Sequence, residues 1–571
     1  MQGDILLTPD DRSMRGCVPE TQKDGGQRLF VLGVYRNATI RLASRRAGRR
    51  TGHGRRPRHR DGRTIPRRPC RARRAGGRCG ADWSSLFRHR LLALSGAMAS
   101  PAHRALIFLP VLLCAGLGSH GATAAPGFVT VSTASFTAGS TCKAAELVAP
   151  RRNGTSAVLR LTHRHGPCAP SRTSSLESPS FSDTLRADQR RAEYILRRVS
   201  GRAPQQQLQV GGSMAAAAAT ATMPANWGYD IGTLNYVVTV SLGTPGVAQA
   251  MEVDTGSDLS WVQCKPCAAA SCYAQRDPLF DPAQSTSYAA VPCGGAACAG
   301  LGMYAHGCSG AQCGYVVSYG DGSNTTGVYS SDVLSLTPAS AVDGFLLGCG
   351  HAQSAMFHGI DGLLGLGRQD PSLVEQTVGL YGGVFSYCLP TKPSTTGYLK
   401  LGDSPAGAAA GFATTQLLSS PAAPTYYVVM LTGISVGGQQ LAVPASAFAG
   451  GTVVDTGTVV TRLPPAAYAA LRSAFRSGMA PYGYPAAPPV GILDTCYNFT
   501  GYGAVTLPNV ALAFGGGATM TLGADGILSF GCLAFAPTGG DGDMAILGNV
   551  QQRSLEVRID ATSVGFKPNS C

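Results

Sequence analysis

Two stretches of this 571-residue chain hold an Asp-Thr-Gly: MEVDTGSDLSWVQC, residues 251 to 264, and GGTVVDTGTVVTRL, residues 450 to 463. Asp254 and Asp455 stand 201 residues apart, each after apolar β-type residues, and each glycine is followed by a hydroxyl residue, Ser257 or Thr458. Asp494-Thr495-Cys496 lacks the glycine and the flanking pattern and is set aside. One such tripeptide arises by chance in roughly one chain of this length in fifteen and would read as an ordinary turn. Two copies in matching context call for a joint explanation. Two carboxylates held about 3 Å apart cannot both ionise cheaply, so they share one proton and their titrations separate. One is then a base towards a bound water and the other an acid towards a carbonyl oxygen. Gly256 and Gly457 let the backbone turn so that the carboxylates meet, and the hydroxyls of Ser257 and Thr458 hold them in plane.

The elements that must position these residues are mainly strands. LNYVVTVSLGTP, GYVVSYGDGS, TYYVVMLTGISVGG and VTLPNVALAF are β-branched and aromatic runs bounded by Gly, Pro, Asn and Asp. The clearest helix is PPAAYAALRSAFRSGM, residues 464 to 479, opened by prolines and apolar on one face. Each Asp-Thr-Gly is answered about a hundred residues downstream by an apolar string with glycine, IDGLLGLG at 360 to 367 and AILGNV at 545 to 550. That repetition predicts an internal duplication.

Charge divides the chain. Residues 1 to 226 hold 36 Lys and Arg against 12 Asp and Glu, whereas residues 227 to 571 hold 11 against 20. The acidic body counts against nucleic-acid binding. Twelve of the 18 cysteines lie from Cys264 to Cys571, without the histidines of a zinc site, which predicts disulfides, an oxidising compartment and no metal. Residues 1–97 are a basic, low-complexity extension without apolar periodicity, expected to be disordered or absent from the natural protein. Met98 opens a secretory signal layout through Ala125, whose apolar run is too short to span a membrane. Residues 126–225 read as a second non-core region, with one exposed amphipathic helix in DTLRADQRRAEYILRRVSGR and a linker in GGSMAAAAATATMPA. Sequons at Asn37, Asn153, Asn324 and Asn498 agree with secretion.

VDTGSDLSW at 253 to 261, YGDGS at 319 to 323, VVDTGT at 453 to 458 and ILGNVQQ at 546 to 552 resemble the pepsin-type aspartic endopeptidases. The insert CKPCAAASC at 264 to 272 is similar to that of the plant nepenthesin-like group, including its chloroplast nucleoid DNA-binding branch. The likeness covers about 229 to 571, and HRHGPC at 163 to 168 extends it into a prosegment. It implies a mostly β, bilobed fold with the active-site cleft between lobes at 226–405 and 406–571. It implies Asp254 and Asp455 as the water-activating dyad, the acid-base pattern for which these enzymes are the standing example. It further implies Tyr319 as a flap tyrosine with Trp261 packed behind it, Gly256, Ser257, Gly457 and Thr458 as supports, and a Cys496–Cys532 disulfide. No cofactor is implied.

The resulting expectation is a monomeric, secreted endopeptidase acting on polypeptides at acid pH, with vacuole or plastid as alternative compartments. Its membrane contact is limited to the signal. The prosegment arginines, with His163 and His165, are expected to be drawn to an acidic cleft and released by acid. The competing readings are a catalytically inactive binding or inhibitor protein, favoured by loss of either aspartate, and a plastid DNA-binding protease, favoured by salt-dependent DNA binding of the body. N-terminal sequencing of the natural protein is expected to recover no peptide from residues 1–97; a single such peptide overturns initiation at Met98.

Overall fold

The computed structural model describes residues 126–136, 141–143, 156–164, 166–169, 181–200 and 235–568, apart from 269–270, 276, 355–356, 358, 393 and 403–410. The basic extension 1–97, the signal 98–125, the linker at 211–225, His165, and the lobe boundary at 405 and 406 lie outside them. All described residues belong to one compact unit, Gly116–Cys571.

The chain is mostly β and two-lobed. A 15-stranded sheet holds the first Asp-Thr-Gly, and a five-stranded sheet holds the second. In the large sheet, strand Val247–Asp254 runs parallel to Gly362–Gly365, which is antiparallel to Trp261–Gln263. The second lobe repeats this plan: Thr452–Val454 is parallel to Ala545–Leu547, which meets Thr461–Leu463 in antiparallel sense. The two apolar strings therefore occupy equivalent places, each beside the strand that delivers an aspartate. Leu366 N–H donates to the Asp254 carbonyl at 2.9 Å, and Asp455 N–H donates to the Leu547 carbonyl at 3.1 Å. Strands Leu555–Ile559 and Ser563–Pro568 return from the end of the chain to join the large sheet, tying the halves together.

The helix expected at 464 to 479 spans Pro465–Met479 and buries Ala467, Tyr468, Leu471, Phe475 and Met479, the three-and-four spacing of a core-facing stripe. Among the described residues, no helix is long and apolar enough to cross a membrane.

The non-core reading of 126–225 needs correction in three places. Phe128–Ser132 pairs with Ala504–Pro508 of the second lobe. Ala157–His163 lies inside the large sheet, between Thr396–Leu401 and the start of Tyr236–Leu242, with Ala157, Leu159 and Leu161 buried. Phe181–Val199 is a helix, but its apolar stripe is covered: Phe181, Leu185, Ala192 and Ile195 are buried, and Asp188 with them. The sequence pattern of an amphipathic helix was sound, and the surface that covers it comes from residues more than a hundred positions away. A Cys142–Cys168 disulfide closes a loop around the inserted strand.

Leu161→Ala distinguishes core from linker. It is expected to destabilise the full chain by about 2–5 kcal/mol, read as a lower urea midpoint; an unchanged midpoint would mean the strand is dispensable.

Candidate active site

Asp254 ends a strand and Asp455 directly follows one, Thr452–Val454, and a tight turn comes next in each case. Asp254 and Asp455 are both fully buried. Asp254 accepts from Gly256 N–H at 2.9 Å and from the Ser257 hydroxyl at 2.7 Å. Asp455 accepts from Gly457 N–H at 3.1 Å and from the Thr458 hydroxyl. A Cβ on Gly256 would lie 2.6 Å from Asp455 Oδ1, and one on Gly457 would lie 2.6 Å from Asp254 Oδ1. Each glycine thus leaves room for the carboxylate of the opposite lobe, a steric demand added to its role in the turn.

The intervening threonines lock the turns together. Thr255 N–H donates to Thr456 Oγ1 at 3.1 Å, and Thr456 N–H donates to Thr255 Oγ1 at 3.0 Å. Their hydroxyls donate onward to Val454 and Val253 carbonyls in the opposite lobe, at 3.1 and 3.0 Å. All four groups are buried, so the lattice satisfies polar atoms that would otherwise be costly to enclose.

Trp261 and Tyr319 lie on the first-lobe side. Trp261 Nε1–H donates to the Tyr319 hydroxyl at 2.7 Å, and Phe357 packs edge-on against both rings. Tyr319 opens the turn at 319 to 323, closed by Tyr319 N–H donating to the Ser323 carbonyl at 2.8 Å. Burial, with the nearby Asp254 charge, pushes the Tyr319 phenol well above its usual range, so it stays protonated. Cys496 and Cys532 are joined, as are 264–349, 267–272, 293–308 and 298–313. Among the described residues, no group of three or more His, Cys, Asp or Glu could hold a metal ion.

The cleft is filled by the chain's own helix Phe181–Val199. Arg191 NH2 lies 2.6 Å from Asp254 Oδ1 and 2.9 Å from Asp455 Oδ1, while its Nε–H donates to Asp455 Oδ2 at 2.9 Å. One turn earlier, Asp188 accepts from Val459 N–H at 2.5 Å, Val460 N–H at 3.2 Å and Arg462 NH2 at 2.8 Å. Arg190 Nε–H reaches the Asp321 carbonyl at 2.6 Å, and a Cβ on Gly320 would meet Tyr194 Cβ at 2.6 Å, so the helix presses against the 319–323 turn. Nearby, Arg164 pairs with buried Glu252 at 3.0 Å. His163 lies in the sheet, edge-on to Tyr236 at 5.6 Å. The expectation that it faces the cleft is corrected: alternation along its strand turns it into the core.

The charges set the proton affinities. Burial holds Asp254 above its ordinary value although Arg191 pulls it down. Burial also pushes Asp455 up, but the charge and hydrogen bonds of Arg191, with those of Thr458 and Gly457, hold it below. Burial keeps Glu252 raised against the opposing pull of Arg164.

Sequence reasoning did not single out Arg191, Asp188, Arg462, Arg164 or Glu252. A signal was available: Asp188 falls on the same helical stripe as Phe181, Leu185, Ala192 and Ile195, and a charge on an apolar stripe implies a buried partner.

Thr456→Val removes the acceptor for Thr255 N–H and one donor to the opposite lobe. The expected loss is about 1–3 kcal/mol in denaturant unfolding, non-additive with Thr255→Val because the two share the lattice; additive losses would mean that the turns are held independently.

Comparison with known proteins places this geometry in context. The family described as Xylanase inhibitor N-terminal matches residues 236–403, and Xylanase inhibitor C-terminal matches 426–568. An Arabidopsis thaliana aspartyl protease family protein is 41% identical over 436 residues, covering 74% of this chain and 90% of that one. Aspartyl protease AED1 of the same plant is 38% identical over 434 residues, covering 74% and 88%. Aspartic proteinase nepenthesin-2 of Nepenthes gracilis is 35% identical over 356 residues, covering 59% and 78%. The crystal structure of edgp aligns with a TM-score of 0.49 at 21% identity, covering 59% of this chain and 92% of that one.

Proposed function

Because the chain belongs to the plant nepenthesin-like family of pepsin-type aspartic proteases, we propose that it hydrolyses peptide bonds with a water held between Asp254 and Asp455. The described chain is its precursor, closed by the helix Phe181–Val199. The observation that carries this reading is the Arg191 guanidinium shared by both carboxylates. It occupies the space a water and a substrate carbonyl would need.

Once Arg191 leaves, the two carboxyls retain one proton between them. The ionised one takes a proton from the water, whose oxygen bonds to the peptide carbon. The protonated one gives its proton to the carbonyl oxygen, and collapse of the tetrahedral species expels the amine after proton transfer to nitrogen. Ser257 and Thr458 hold the carboxyls in plane. Tyr319, anchored by Trp261, closes the first-lobe side over the peptide. The name of the matching families points to an inhibitor, but both aspartates, both glycines and both hydroxyl supports are present here, which supports the catalytic reading over the binding one.

The same contacts give acid a direction of action. Arg191 holds Asp455 below its ordinary value, so that carboxyl holds its proton more tightly when the helix is released than when it is docked. Acid therefore favours release. The docking contribution is full at neutral pH. It falls as pH drops below the ordinary carboxylate range and is lost through the lowered value of Asp455. The six described disulfides support an oxidising, secreted setting.

Full chain held at pH ~3.5, below the ordinary glutamate value, is expected to convert to a shorter form that digests denatured protein, while a neutral control stays intact. Arg191→Ala shifts the onset of conversion to higher pH. Asp254→Asn lowers turnover by roughly a thousandfold or more. A precursor that stays full length and inactive in acid overturns the zymogen reading, and an active Asp254→Asn form overturns the dyad.

A further inference from the structure

The Asp188 contacts raise a question that the closure of the cleft does not answer. Arg191 alone blocks the dyad. Asp188 nevertheless enters a site in which the main body contributes two converging backbone N–H groups and a guanidinium. Arg462 is 1% exposed; its NH1 donates to the Val460 carbonyl at 2.9 Å, and its Nε has no hydrogen-bond partner among the described residues. When the helix leaves, two amides and a fixed cation lose the one carboxylate that meets them among the described residues. A buried cation left in that state is costly unless another anion replaces the first.

We propose that Val459 N–H, Val460 N–H and Arg462 form a carboxylate subsite of the mature enzyme, selecting an acidic side chain of the substrate, with Asp188 standing in for that side chain in the precursor. This rests on the protease reading above. Val459 and Val460 continue the turn that carries Asp455, and Arg462 lies on the strand Thr461–Leu463 that follows it. The site is part of the cleft wall. Cavities of about 420 and 320 Å³ flank the helix, the first bordered by Val459 and the second by Arg462, so the groove continues on both sides of Asp188.

The spacing sets the reach. Asp188 and Arg191 are one turn apart, about 4.5 Å along a helix axis. An extended peptide advances about 3.3 Å per residue, so the selected side chain lies roughly one to three residues from the scissile bond. A guanidinium with two aligned amides matches a carboxylate in both geometry and charge. The uncharged amide of glutamine offers one acceptor oxygen and no charge.

The test uses the full chain after acid conversion and a set of peptides with glutamate placed in turn at four positions on either side of one cut, each paired with its glutamine twin. At pH ~5, where glutamate is ionised, kcat/KM is expected to favour glutamate about tenfold at one position, the difference between a charged and a neutral acceptor. The ratio falls towards one in Arg462→Lys, which keeps the charge but loses the fork, and in Arg462→Met. Equal values for every pair in the unaltered enzyme overturn the subsite and leave the protease reading intact; that comparison needs no variant to fold. If no peptide is cut, the protease reading falls and binding decides the subsite. A peptide of residues 181–200 should then bind the converted chain about tenfold more tightly than its Asp188→Asn form, and equal binding overturns the proposal.

Discussion

Two carboxylates buried side by side repel each other and lose their water, and the chain tolerates them because a single guanidinium lies against both. Asp254 and Asp455 are fully enclosed, and their partners in the turns, two amides and two hydroxyls, do not neutralise a second negative charge. Arg191 does so, and its position determines much of the rest. The glycines must lack side chains, since a Cβ at either would collide with both the guanidinium and the opposite aspartate. The helix that carries Arg191 must lie deep enough to touch the 319–323 turn on one side and the Val459 loop on the other.

The meeting of the aspartates is a matter of symmetry in the backbone. Each is delivered by a strand with a parallel neighbour, and that neighbour is antiparallel to the strand leaving the turn. The threonines then exchange equivalent hydrogen bonds across the middle. A small displacement of either lobe would break bonds on both sides at once. The geometry of the pair is therefore held by the whole interface and little by the aspartates themselves.

Much of the body was legible in sequence because its information is local and repeated. VDTG and VVDTG encode strand, turn and carboxylate in a few residues, and LLGLG and AILGN mark their neighbours. The prosegment was not legible in the same way. FVTVS and AVLRLTH are short and polar in part, and what makes them core is a pairing with residues hundreds of positions away. Arg191 is one of ten arginines between 151 and 198 that differ little in local context. Only its place one turn after Asp188, a charge on an apolar stripe, set it apart. Disulfide bonding was legible from composition, but the partners were not, apart from Cys496–Cys532, which the resemblance implied; the other pairings follow from the fold.

The inserted strand Ala157–His163 bears on how the molecule can be dismantled. Cys142 and Cys168 are joined, so a cut between them opens the loop without letting either piece diffuse away. A cut beyond Cys168 frees the helix while the strand keeps its ladder to Thr396–Leu401. Unblocking the cleft and extracting the strand are thus separable events with different barriers. A body synthesised without the strand would begin with two bare β edges facing each other across a slot one strand wide, about 9–10 Å, an invitation to pair with the wrong chain.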